Sequence, residues 1–385
     1  MDFTYLDKFL DSLLEIGFPM YDTTVQVAGK EVYRRQGGYI DVEKKRTHEG
    51  KNLYFIYSCS KPITCAAALT LLEQGKINLS DPVSDYLPSY KELTVAEKRE
   101  DGTVEIRPAK TVMTLRHLFT HTSGLSYNRN TAPVNEVIAK TDKRAPTVQV
   151  CAAYAKSPLL FDPGEKWSYS LAHDVLAAVV EVVSGRRFSD YVRETVFAPL
   201  GMEDSSFATY TASHDPNNIP RFAQQYRFKS DFSGLDIVGL NCSYMFGSEY
   251  ESGGAGVVTT AEDYIKFASA MAMGGIGANG ARILAPSTVS LMRTDALNEQ
   301  QRRTLTWKQY LGYSYGLGVR TLVDRAAGGA LSGLGEFGWG GAAGALTIFD
   351  PDSQVAVYHA QHTLSPREEY VFPRLRNIVF ACLGR

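Results

Sequence analysis

The sequence predicts a mixed α/β fold in which an antiparallel sheet, assembled from both ends of the chain, is flanked by helices and interrupted by a mainly helical insertion. Three observations predict it. Strand-like patterning appears near the start, at 23–40, and returns only near the end, at 313–323, 345–349 and 354–359. Helical periodicity opens and closes the chain. Between Ile77 and Ser252 the sequence is loop-rich, with helical runs at 114–121, 171–184 and 187–198. The expected division is a sheet domain of residues 1–75 plus 253–385, with 76–252 as the inserted helical domain.

Each element has its own reason. Phe3, Leu6, Phe9, Leu10, Leu13 and Leu14 fall three or four residues apart, the spacing of one helix face. No basic start precedes them, so the segment reads as an amphipathic helix of the mature fold and not as a secretion signal. Residues 23–40 read as a hairpin turning near Gly29-Lys30. Residues 60–75 are apolar nearly all round (Ile63, Cys65, Ala66, Ala67, Ala68, Leu69, Leu71, Leu72) and stop at Gly75. A helix without a polar face belongs in the centre of its protein. Pro62 fits its first turn, where the missing amide has no intrahelical partner anyway.

The polar segments 97–110 and 128–146 read as surface excursions. Thr260-Ala-Glu-Asp263 reads as a capping box opening a helix to about Met273. Tyr313, Tyr315, Leu317, Val319, Thr321 and Val323 alternate as one half-buried strand does. A hairpin is expected from 345–349 and 354–359 across Asp350-Pro-Asp-Ser353, and a final helix from 366–383.

Composition narrows the function classes. Lys plus Arg number 40 against 42 Asp plus Glu, so no basic field for nucleic acid exists. No apolar run is long enough for a membrane span. The five cysteines are scattered without a Cys-x-x-Cys pair, which points to a reduced, cytoplasmic protein without a zinc cluster. Gly333-Leu-Gly-Glu-Phe-Gly338 matches a dinucleotide fingerprint, yet no helix follows it, so no cofactor is implied. His359 and His362 lack a nearby acidic third ligand and read as structural, so no metal is expected. His121 reads as a loop-pinning residue in preference to a base, and Cys59 as a packing residue. Without a Gly-x-Ser-x-Gly elbow, an α/β-hydrolase is excluded.

The chemistry concentrates in three places. Ser58 and Lys61 stand three residues apart at the start of the most apolar helix, where the amine can reach the hydroxyl. A serine hydroxyl needs such a base, and a lysine in a poorly solvated place loses proton affinity. Free amides at the helix start also face charge that develops on a substrate oxygen. Tyr169, ahead of the helix at 171–184, is either a core tyrosine or a phenol that moves a proton. Phe337-Gly-Trp339-Gly340-Gly341-Ala342 is either a turn or a close approach to ligand, with the Ala342 amide as an oxyanion donor. Tyr127, Tyr244, Phe246 and Tyr250, in loop-like stretches, are candidates to line an acyl pocket.

Over nearly its whole length the chain resembles the serine β-lactamase and penicillin-binding-protein superfamily, closest to the family VIII carboxylesterases related to class C β-lactamases. The likeness rests on Ser58-x-x-Lys61, Leu115-Arg-His-Leu-Phe-Thr-His-Thr-Ser-Gly-Leu125, Pro163-Gly-Glu-Lys-Trp-Ser-Tyr169-Ser-Leu171, Gly253-Gly254 with Thr259-Thr-Ala-Glu-Asp263, and Trp339-Gly340-Gly341. The resemblance implies a β-lactamase/transpeptidase-like fold and Ser58 as the acylated nucleophile. It also implies Lys61 and Tyr169 as the activating pair and an oxyanion hole from the Ser58 and Ala342 amides.

Two departures refine it. β-lactamases of this type carry Tyr-x-Asn, and here the third position is Leu171; they carry Lys-Thr-Gly where this chain has Trp339-Gly340-Gly341. Losing that cation removes a partner for a substrate carboxylate and puts an indole in its place. Tyr-Ser-Leu with Trp-Gly-Gly is the pattern of the family VIII esterases. The expected function is therefore hydrolysis of short-chain carboxylic esters, a small-molecule substrate. Alternatives are β-lactamase or D-alanyl-D-alanine carboxypeptidase-like activity, acyl transfer to an alcohol or amine, and a non-catalytic scaffold.

Overall fold

The computed structural model describes residues 1–208, 220–231, 233–239 and 246–384. Its centre is a seven-stranded antiparallel sheet. The strands are β1 (Met20–Val27), β2 (Lys30–Gly38), β3 (Tyr313–Tyr315), β4 (Arg320–Leu322), β5 (Phe337–Gly338), β6 (Leu346–Asp350) and β7 (Val355–Ala360). Their spatial order is β3-β4-β5-β6-β7-β1-β2. The two ends of the chain meet at the β1–β7 pair, whose register sets Asp22 opposite Ala360 and Val27 opposite Val355. β7 is buried along its whole length, as befits a central strand covered on both faces.

Alternation sends β7's side chains to two cores. Val355 and Val357, with Ile348 and Val25, meet α1 (Thr4–Glu15) and the C-terminal helix α5 (Glu368–Cys382). Ala356, Tyr358 and Ala360 face a larger core holding α2 (Ser60–Glu73), α3 (Ala172–Ser184) and α4 (Ala261–Ala272). The buried face of α1 is the apolar row Leu6, Phe9, Leu10 and Leu13. Helix α2 is buried through Leu71, as its all-round apolar sequence requires. Thr260 caps α4 by accepting from the Asp263 amide.

One local expectation is corrected, and the two surface excursions carry secondary structure of their own. Residues 313–323 do not form one strand: β3 and β4 pair antiparallel across a turn. Gly318 makes the turn with φ +85°, and the Gly316 N–H donates to the Val319 carbonyl at 2.8 Å. The polar stretch 97–110 holds most of an exposed hairpin, Thr94–Lys98 against Val104–Pro108, and 128–146 holds the helix Ala132–Lys140. Val104 and Ile106 alternate correctly for a strand but point outward, 60% and 54% exposed, so no inward apolar stripe advertised it. The stretch 76–252 thus carries short strands (also Ser206–Phe207, Tyr226–Phe228 and Leu235–Ile237) beside its helices.

Among the described residues, no helix is long and apolar enough to cross a membrane. Cys59, Cys65, Cys151 and Cys382 are buried free thiols; Cys242 lies outside the described residues.

Candidate active site

A small sheet delivers Ser58 to its place. Tyr54–Phe55 pairs antiparallel with Val258–Thr259, and the Ile56 N–H donates to the Val257 carbonyl at 3.3 Å. The chain then turns sharply at Tyr57, whose φ of +47° is rare for a residue with a side chain. The Tyr57 hydroxyl donates to Gln225 Oε1 at 2.6 Å and so braces the turn. Ser58 follows in a short 3₁₀ turn that runs straight into α2.

Lys61, 1% exposed, lies one helical turn on. Its Nζ donates to Ser58 Oγ at 3.4 Å and to the Gly254 carbonyl at 2.8 Å, and sits 4.5 Å from the centre of the Tyr169 ring. The Tyr169 hydroxyl donates to Ser58 Oγ at 2.6 Å and accepts from Trp339 Nε1 at 3.3 Å. Lys61 and Tyr169, which the sequence singled out in separate places, thus converge on the Ser58 oxygen. Burial pushes the Tyr169 phenol above its ordinary range, opposed by its bonds to Ser58 and Trp339. Tyr169 is therefore neutral at physiological pH.

The Tyr169 segment is laced to the loop at 120–126. Ser168 N–H donates to the His121 carbonyl at 2.9 Å, Gly164 N–H to Thr122 at 2.8 Å, and Leu171 N–H to Ser126 at 3.3 Å. His121 Nδ1 meets Ser170 Oγ at 3.2 Å, and its ring stacks on His173 at 4.3 Å. Burial drives both imidazoles neutral: His173 falls to about 3, and His121 well below its usual value, each also repelled by the Lys61 charge. His121 pins the loop.

The turn after Trp339 closes the other side. Gly341 N–H donates to the Ala345 carbonyl at 2.7 Å, and a Cβ at Gly341 would strike the Ile56 carbonyl at 2.2 Å. Only glycine lets this turn pack on the backbone that leads to Ser58. Cys59 Sγ contacts the Ala345 carbonyl at 3.3 Å, which is packing. Ala342 stands exposed at the tip. Its N–H meets no backbone carbonyl among the described residues.

Aromatic rings surround the Tyr169 phenol. Tyr127 stacks on Tyr169 at 5.3 Å, Trp339 at 5.6 Å, and Trp307 meets it edge-on at 5.2 Å. Leu171, expected beside substrate, is 2% exposed and sits in the main core. Tyr250, expected to line an acyl pocket, is 1% exposed and donates its hydroxyl to Asp174 at 2.9 Å. A buried phenol needs a partner, and the carboxylate takes it. Phe246 packs against Tyr250 at 4.6 Å. Tyr244 lies outside the described residues.

Sequence reasoning missed Trp307, Glu368 and Asp174. Trp307 is one of three tryptophans, and no motif marks it. Glu368 opens α5 and passes for an ordinary helix-start acid, yet a Cβ on Gly340 would lie 2.3 Å from its Oε1. Tyr310 donates to the same oxygen at 2.6 Å. Asp174 did leave a signal: a carboxylate directly before the apolar run from Val175 to Val180. Among the described residues no group of three or more His, Cys, Asp or Glu is placed to hold a metal ion.

A family model described as Beta-lactamase matches residues 7–378. Protein Rv1367c of Mycobacterium tuberculosis (strain ATCC 25618 / H37Rv) is 31% identical over 336 residues, covering 84% of this chain and 81% of that protein. Esterase EstB of Burkholderia gladioli is 30% identical over 332 residues, covering 82% of this chain and 79% of its own. The solved structure of EstCE1, a hydrolase with promiscuous acyltransferase activity, superposes with a TM-score of 0.78 at 25% identity over 97% of both chains.

Proposed function

The chain belongs to the Beta-lactamase family, and we propose that it is a serine carboxylesterase that cleaves short-chain esters through an acyl-enzyme on Ser58. One observation carries this reading: Ser58 Oγ is hydrogen-bonded by the Tyr169 hydroxyl at 2.6 Å and by Lys61 Nζ at 3.4 Å. A hydroxyl so held has a proton path and a fixed line of attack.

In acylation, Ser58 Oγ forms a bond to the ester carbonyl carbon and its proton passes to the Lys61 amine, directly or through Tyr169. The oxyanion is held by the Ser58 and Ala342 amides. The carbon–alkoxy bond breaks, and the alcohol leaves with a proton from Tyr169. In deacylation, water attacks the acyl carbon, gives its proton to the same pair, and the proton returns to Ser58 as the acid departs. Tyr127, Trp307 and Trp339 supply apolar walls for the acyl group.

Esters are favoured over lactams because the wall beside Ser58 offers an indole and, behind Gly340, a carboxylate. An anionic penicillin or peptide C-terminus meets Trp339 where a β-lactamase of this type would offer a lysine. Acyl transfer to an alcohol is the second reading, favoured by the likeness to EstCE1, a hydrolase with promiscuous acyltransferase activity. It uses the same steps with alcohol in place of water. The free thiols support a reducing, cytoplasmic setting.

The test is turnover of p-nitrophenyl butyrate and nitrocefin by wild type and Ser58→Ala. Butyrate turnover is expected, nitrocefin turnover far slower, and both should fall on the order of 10⁴-fold in the variant. Butyrate hydrolysis that survives the substitution overturns the nucleophile. Product analysis with added alcohol separates transferase from hydrolase.

A further inference from the structure

Lys61 is not the only charge buried behind Ser58. Asp174, on α3, is 2% exposed. Its Oδ1 accepts from Ser252 Oγ at 2.5 Å and from the Tyr250 hydroxyl at 2.9 Å, and the Gly254 N–H donates to the same carboxylate. Gly254 faces both charges. Its carbonyl accepts from Lys61 Nζ at 2.8 Å, and a Cβ built on it would stand 2.7 Å from Asp174 Oδ2 and 3.2 Å from Lys61 Nζ. The carboxylate and the amine therefore share one notch, and only the lack of a side chain at Gly254 keeps it open.

Each charge would be unfavourable alone at that depth, and each offsets the other. The other groups near the carboxylate are uncharged at neutral pH: Tyr250 and Ser252 from one loop, and Tyr154 and Cys151 from the helix Thr147–Tyr154. His173, beside it in the chain, is held neutral by burial. Burial raises the Asp174 pKa, while Ser252, the Lys61 charge, Tyr250 and the Gly254 amide lower it.

We propose that Asp174 is a positioning residue for the ester reaction, aiming the Lys61 amine at Ser58 and stabilising the ammonium formed when Lys61 takes the Ser58 proton. The inference rests on the proposed esterase reading. Tyr250, Ser252 and the Gly254 amide hold the carboxylate still, so that it meets the ammonium without reorganisation. Where β-lactamases of this type place an asparagine near the lysine, this chain has Leu171, buried and apolar. Asp174 supplies the polar partner from one turn further along.

The sign of the effect is fixed. A nearby anion favours protonated Lys61, so Asp174→Asn lets Lys61 lose its proton more readily. The acid limb of the rate–pH profile should move down by about one pH unit, while the plateau falls about 10- to 100-fold, in kcat and not in KM. The readouts are p-nitrophenyl butyrate kinetics and the rate of Ser58 labelling by a fluorophosphonate, each from pH 5 to 10. A merely structural role would lower the folded fraction without moving the limb. If Asp174→Asn does not fold, Tyr250→Phe removes one donor that holds the carboxylate in place and should lower the kcat plateau by a smaller step, with KM unchanged. A folded variant with an unmoved limb and unchanged plateau overturns the role of Asp174 while wild-type labelling at Ser58 keeps the esterase reading intact. Loss of wild-type labelling overturns both.

Discussion

At the scale of single residues, the site runs on strain and on charge placed out of water. Tyr57 holds φ +47° immediately before Ser58, a conformation that costs about 1 kcal/mol or more for a residue with a Cβ. Its buried hydroxyl bond to Gln225 holds it there, and the sharp turn sets the Ser58 oxygen against two proton-carrying groups. Burial raises the Glu368 pKa, while the Tyr310 hydroxyl and the Arg320 charge favour its carboxylate form. Its carboxylate lies behind Gly340, the residue after Trp339. Glu368→Gln should raise kcat/KM for mono-p-nitrophenyl glutarate about 5-fold relative to p-nitrophenyl butyrate, the worth of one removed repulsion near 1 kcal/mol. Equal effects on both esters would exclude a role in charge selection.

At the scale of elements, periodicity and the turns at Gly29 and from Asp350 to Ser353 were readable, and the turn from Gly316 to Gly318 was not. The all-apolar run of α2 and the row Leu6, Phe9, Leu10 and Leu13 mark buried helices because spacing maps directly onto faces. The alternation from Tyr313 to Val323 looked continuous because Gly316-Leu317-Gly318 keeps the same rhythm while reversing the chain. Gly318 is doubly constrained: φ is +85°, and a Cβ would lie 2.2 Å from Cys65 Sγ on α2. Gly318→Ala should therefore destabilise by about 2–4 kcal/mol, read as a lower urea midpoint. An unchanged midpoint would mean that the β3–β4 turn relaxes away from α2.

At the scale of the molecule, the sheet joins the two ends of the chain, so neither end is an appendage. α1 buries Leu6, Leu10 and Leu13 against Val371, Leu375 and Val379 of α5, over the face of β7 that carries Val355 and Val357. Leu10→Ala should cost about 2–5 kcal/mol and lower the midpoint of one cooperative transition, with kcat of the folded enzyme unchanged. A separate early transition confined to the terminal helices would show instead that α1 unfolds on its own. The β1–β7 pairing argues against that, because Asp22 through Val27 pair with Ala360 through Val355 in unbroken register.

Local chemistry was legible in the chain itself. Ser58 and Lys61 are three residues apart, a separation that helical geometry converts into contact without outside help. Tyr169 and Trp339 could be nominated from their surroundings, but Tyr169 reaches Ser58 across 111 residues and Trp339 reaches Tyr169 across 170, and both required the fold. Only the tertiary structure showed that Leu171 is core, that Tyr250 serves a carboxylate, and that Asp174 and Lys61 share the notch at Gly254. Spacing along a chain specifies which residues share a face. Which buried charge balances which depends on three-dimensional distance and the loss of water, and neither is written in the order of residues.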